Sequence, residues 1–470
     1  MVLAATIEWD VQIGGNDDNG GGFNVASTGT DRSQSTTPHV IIDGVTITGV
    51  VHTTTTQLNL TGYSVQDPED VGNLVQNVSG TGTVDVFEIT AADEGNNRWT
   101  LDKSGGTAAQ TFVGNMGGCL LSPGRAFNKF VAGNTVWLKE DATTYDIAST
   151  TANIATGRIS VTAGSGTNIS KFIGYDVAHG DFTGSRPTIK ATTNTMTLVT
   201  IAGARALVSN MILSAGAATG IGPMVTALGS VTYNVQASGA NATAGFNCAQ
   251  GSLLVKCDAI GGSVEGFRSA GAFFVGCSAE GNSDDGWDCT SGESVLALCI
   301  ADSNTGAATD GALASGAAAV MTIINSDFYN NGNHGVNNPV TAGSTQCINC
   351  IAWDNVGTGF AGNNGGIFFN CAAGSNGTDF STTGTIQYGS ITLTSDPFTN
   401  AGADDFSLNN TAGGGVSCRG ASLFGTFPAS LSTTGFLDIG AVQTQTEATS
   451  NFIINSMNAV FPVARGATGY

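Results

Sequence analysis

Apolar positions in this chain fall in short runs separated by small or polar residues and closed by glycine or asparagine, as in FFVGCSAEG, VLALCIADSN and IFFNCAAGSN. No segment sustains apolar residues three and four apart over several turns, which an amphipathic helix would need. The pattern predicts an all-β chain of many short strands joined by tight turns.

The runs also repeat. Aligning LVSNMILSAG, VTYNVQASG, LLVKCDAIG, FFVGCSAEG, VLALCIADSN, TIINSDFYNN, CINCIAWDN and IFFNCAAGSN gives one column of Met211, Val235, Cys257, Cys277, Cys299, Ser326, Cys350 and Cys371, with spacings of 24, 22, 20, 22, 27, 24 and 21 residues. Five positions later stand Asn282, Asn304, Asn331, Asn355 and Asn376. A third column holds Gly220, Gly245, Gly266, Gly286, Gly311, Gly335 and Gly359. A period of this length, with a strand, a turn and a second strand, is the signature of a solenoid whose coils bury their inner side chains only by stacking at about 4.8 Å. Like residues then lie above one another. The cysteines are expected as a ladder of packed, reduced thiols, and the asparagines as a turn column that tolerates the left-handed conformation and bonds amide to amide between coils.

Composition narrows the function classes. Hydrophobic residues make up 41% of the 470, enough for a sizeable core, while only 11% are charged and 67 are glycine. The net charge of -21 argues against a nucleic-acid backbone or an anionic membrane as partner, and no apolar run approaches a membrane helix. Among the ten cysteines the single Cys-x-x-Cys, Cys347 to Cys350, has no second pair to complete a zinc site. The opening MVLAATIEWDVQIGG lacks a basic start and reaches Glu8 and Asp10 too soon for a signal peptide.

With these columns in place, residues from about 130 to 440 resemble the right-handed parallel β-helix proteins of pectate-lyase type. VAGNTVWLKEDATTYDI is similar to a first coil of such chains, and SDPFTNAGADDFSL with TTGFLDIGAVQ is similar to their closing coils. Asn282 to Asp288, NSDDGWD, resembles the calcium-binding turn of the family-nine pectate lyases. The resemblance implies a calcium site of Asp284, Asp285 and Asp288 with an acidic residue one coil earlier, where this chain has Glu265 in Glu265-Gly266-Phe267. It also implies a lysine base on a later coil. The matching positions hold Leu313, Asn337 and Ala361, no lysine follows Lys256, and Arg268 is the one cation in that column. A polygalacturonase-like hydrolase would instead use aspartates with a Gly-His-Gly turn, of which Asn333-His334-Gly335 retains part.

Three regions are expected: a small β domain over residues 1–115, the β-helix over 116–442, and an apolar tail over 443–470 that caps the solenoid or contacts another subunit. Asp17 and Asp18 read as a solvated loop. The opening, rich in glycine and acids, resembles that of β-helix proteins encoded among tailed-bacteriophage structural genes. A β-helix without an export signal and with thiols kept free fits a virion protein assembled in the host cytoplasm. The expectation is a structural protein on the surface of a tailed-phage particle, a capsid decoration or cement protein or a tailspike-like one. It would form a homotrimer, contact other virion proteins such as the major capsid protein, and lack intact catalytic machinery. The alternative is a calcium-dependent polysaccharide lyase or a glycan-binding tailspike that touches host surface polysaccharide.

Overall fold

The computed structural model describes residues 3–38, 52–60, 63–107, 110–147, 159–164, 167–191, 197–215, 224–239, 244–261, 264–339, 343–362, 365–381, 383–422 and 438–442. Parallel strands pair at one-coil intervals along three faces. The first face includes Thr135–Lys139, Ser170–Tyr175, Leu253–Val255, Phe273–Val275 and Glu293–Ala297, and ends at Thr385–Tyr388. The second includes Asp258–Ile260, Ser278–Glu280, Ile300–Asp302, Asp327–Tyr329 and Ile351–Trp353. The third is a 10-stranded sheet running from Ile159–Val161 to Thr378–Phe380. One interior runs along the stack. Alternation along each strand sends Phe246, Phe267, Trp287, Phe328 and Phe360 into it, each with 0% exposure. Phe267 stacks on Phe246 at 4.9 Å and on Trp287 at 5.1 Å, both nearly coplanar.

The three repeated columns have distinct tasks. Cys257, Cys277, Cys299, Ser326, Cys350 and Cys371 open the second-face strands and point inward, and all ten cysteines of the chain are buried and free. Burial pushes the Cys289 thiol up to about 12 and that of Cys248 well above its usual value. The asparagine column forms a continuous amide ladder, each Nδ2 donating to the next Oδ1: Asn282 to Asn304 at 2.9 Å, Asn304 to Asn331 at 2.9 Å, Asn331 to Asn355 at 2.8 Å and Asn355 to Asn376 at 2.9 Å. Glycine is required above it: a Cβ on Gly311 would stand 2.5 Å from the Gly335 carbonyl oxygen and 3.0 Å from the Asn331 amide.

The left-handed residue, expected within this asparagine column, stands one place earlier, at Gly281, Ser303, Asn330, Asp354 and Ser375. The ladder asparagines must turn their amides inward, so the neighbour before them makes the bend. A second left-handed column, Asn210, Asn234, Lys256, Gly276, Leu298, Asn325, Asn349 and Asn370, divides the first face from the second, immediately before the cysteine column.

The N-terminal region differs from the expected boundary at residue 115. Ile7–Val11 pairs in parallel with Thr135–Lys139 and belongs to the solenoid. Outward-facing Asp10 is buried beneath later coils, accepting from Gln12 Nε2 at 2.9 Å and Tyr175 Oη at 3.1 Å, with His179 Nε2 at 2.6 Å. Between these strands His52 to Met116 form a separate six-stranded antiparallel sheet around Leu58, Phe87, Ile89, Trp99 and Phe112. A short helix, Pro123–Lys129, follows. Asp17 is no solvated loop residue: it clamps the start of this helix, accepting from the Leu121 and Ser122 amides at 3.1 and 2.9 Å and from Ser122 Oγ at 2.8 Å.

The C-terminal segment read as closing coils takes another course. Phe398–Asn400 and Asp405–Leu408 form an antiparallel hairpin. With Cys418 and Ile439 it packs on outward residues of the second face, among them Ile351, Tyr329 and Trp353. The expected tail over 443–470 lies outside the described residues.

Candidate functional site

The aspartate turn sits where the chain passes from the second face to the third. Trp287 and Cys289 face inward, so Asp288 between them faces out; the same alternation places Arg268 outward on the preceding coil. Arg268 pairs in register with Asp288, Asp288 with Leu313, Leu313 with Asn337 and Asn337 with Ala361. The column read from sequence is therefore one row of side chains. Its only cation is Arg268, whose Nε lies 3.9 Å from Glu265 Oε2.

Most carboxylates of the turn are engaged inside the fold. Asp285, 4% exposed, accepts from the Asp310 amide at 2.6 Å. Asp310 accepts from Asn333 Nδ2 and the His334 amide, both at 3.0 Å, and from Asn337 Nδ2 at 2.7 Å. Asp288 accepts from Ser315 Oγ. His334 Nδ1 accepts from the Thr358 amide at 2.7 Å, which ties the ring to the next turn. Three successive turns are stitched together by this network.

Crowding and burial disfavour charge here. Burial pushes Asp285 up to about 8, helped by the nearby charges of Asp310, Asp284 and Asp288 and opposed by the Asp310 amide. Burial pushes Glu265 up to about 7, with Asp288 and Asp284 adding to the shift and Arg268 opposing it. Asp284, Asp288 and Asp310 are also raised, chiefly by burial.

Oxygen-only donors of this kind suit calcium, and Glu265 Oε2 is buried without a hydrogen-bond donor. Yet among the described residues no group of three or more His, Cys, Asp or Glu side chains gathers closely enough to hold a metal ion. Asp285 and Asp288 each accept one hydrogen bond, from the Asp310 amide and Ser315 Oγ, and each keeps further lone pairs.

Sequence reading missed a second feature, a cleft of about 290 Å³ on the outer second face, lined by Asp258, Ile260, Glu280, Ile300, Asp302, Asp404 and Phe406 among others. Its floor comes from three successive coils and its wall from the returning hairpin. Outward acidic residues at Asp258, Glu280 and Asp302 were the available signal, but nothing in the repeat placed Asp404 and Phe406 over them.

No family model and no curated protein matches the sequence. Solved structures similar to the chain include pectate lyase Pel9A, at 14% identity over 70% of this chain and 92% of that one with a TM-score of 0.42. The catalytic domain of a GH87 alpha-1,3-glucanase is similar at 9% identity over 70% and 88%, with a TM-score of 0.29. The tailspike protein gp49 from Pseudomonas phage LKA1 is similar at 10% identity over 75% and 63%, with a TM-score of 0.23. At these values the likeness says nothing about activity. The strand register by itself establishes the architecture: the chain is a parallel β-helix with a small antiparallel β domain set between its first strand and its later coils.

Proposed function

We propose that this chain is a structural β-helix protein on the surface of a tailed-phage particle, tailspike-like or decorating the capsid, and that its aspartate turn serves the fold rather than a lyase reaction. The observation that carries the second half is the column after Asp288. β-Elimination needs a base beside the acidic sugar, and Leu313, Asn337 and Ala361 offer none. Ten buried, free cysteines support folding in a reducing compartment, which suits a protein made in a host cytoplasm. A homotrimer belongs to this reading, as do contacts with other virion proteins.

Particle fractionation tests the proposal. The protein should co-sediment with intact particles, be reached there by antibody without disruption, and have the mass of three chains when released. Recovery only in the soluble fraction of infected cells, or a monomer by sedimentation equilibrium, would contradict it.

A further inference from the structure

The cleft between the second face and the returning hairpin is a feature that the structural reading leaves unused. Asp258, Ser278 and Ile300 form one row of its floor, Ile260, Glu280 and Asp302 the next, and Asp404 and Phe406 close one side. Its volume of about 290 Å³ lies near the lower end of the small-ligand range. The lining joins an apolar strip, Ile260, Ile300 and Phe406, to four carboxylates. Among the described residues the one ion pair on those carboxylates is Arg186 to Asp258, at 3.7 Å on the rim. Asp302 is 5% exposed and accepts from Ser303 Oγ at 2.6 Å, while Asp404, held left-handed at the hairpin turn, is exposed.

Independently of the virion reading, we propose that this cleft binds a small aliphatic diamine or polyamine, its methylene stem along Ile260, Ile300 and Phe406 and its ammonium groups on Glu280, Asp302 and Asp404. Charge complementarity selects this class. Glu280 is raised by burial and then by the charges of Asp404 and Asp258, and Asp302 is pushed up to about 6 by burial and then by Glu280 and Asp404. An ammonium ion would relieve this repulsion, whereas an anion would add to it. The apolar strip suits a methylene stem, which a bare metal ion lacks, and no metal-holding group occurs among the described residues. The groups facing the ligand, Asp258, Glu280, Asp302, Asp404 and Arg186, imply that binding strengthens as pH rises through about 6 and Asp302 ionises.

Calorimetric titration of the full chain with cadaverine and with spermidine tests this, at pH 5 and 7.5 and at low and moderate salt. Saturable binding is expected, tighter at pH 7.5. It should weaken about tenfold or more in Glu280→Gln and in Asp404→Asn, but not in Asp18→Asn, a change at a distant exposed loop. Asparagine tolerates the left-handed position of Asp404, so that variant tests the site even if the other misfolds. Three results would each overturn the proposal: no saturable binding, equal binding by all variants, as counterion attraction to an acidic chain would give, or binding of glucosamine oligomers without binding of the diamines.

Discussion

Asp285 occupies a place where ionisation is costly. It is 4% exposed, stands near the charges of Asp310, Asp284 and Asp288, and accepts one amide at 2.6 Å. Its pKa rises from the ordinary aspartate range to about 8 in the fold. Because the folded value is the raised one, the stability it allows is fully present below pH 4 and is lost as pH climbs towards 8. Glu265, raised to about 7, acts in the same direction. Thermal melts should therefore show the midpoint falling by several degrees between pH 5 and 8. Asp285→Asn keeps an acceptor for the Asp310 amide and removes the charge, so it should raise the midpoint at pH 8 and leave it nearly unchanged at pH 4. A variant less stable than wild type at pH 8 would show instead that the ionised carboxylate is needed. The cysteines give a simpler expectation: the native protein should resist a thiol reagent that titrates all ten after denaturation.

Among elements, the asparagine ladder ties five coils edge to edge. Removing the Asn331 amide takes one acceptor from Asn304 Nδ2, which keeps the Ala279 carbonyl, and one donor from Asn355 Oδ1, which keeps the backbone N–H of residue 331. Asn331→Ala should cost about 1 to 3 kcal/mol in urea denaturation, from two lost buried amide hydrogen bonds at roughly 0.5 to 1.5 each. Asn330→Ala, at the exposed bend beside it, should cost only about 1 to 2 kcal/mol for its left-handed backbone. Gly311→Ala should also destabilise, because its Cβ meets backbone that cannot yield without parting two coils. The cysteine, asparagine and glycine columns were legible in the sequence because stacking repeats the same side-chain chemistry at each coil. The corner between the first two faces was not, because Lys256, Gly276 and Leu298 interrupt its asparagines, Asn210, Asn234, Asn325, Asn349 and Asn370. The Asp310 network escaped notice because its partners lie a coil apart at irregular spacing. The returning hairpin occurs once, so no repeat could reveal the surface it covers.

At the scale of the molecule, stacked coils make a stiff body whose outer rows can be read one residue per coil. The aspartate row contains one arginine and then leucine, asparagine and alanine. No lysine or histidine stands in that row beside the aspartate turn. The most direct test is to incubate the purified chain with a panel of acidic polysaccharides, with calcium and with chelator, and follow the absorbance of unsaturated products. The account predicts no product under either condition. Calcium-dependent product abolished by Asp285→Ala would contradict it and assign the missing proton transfer to Arg268 or to another group in that row.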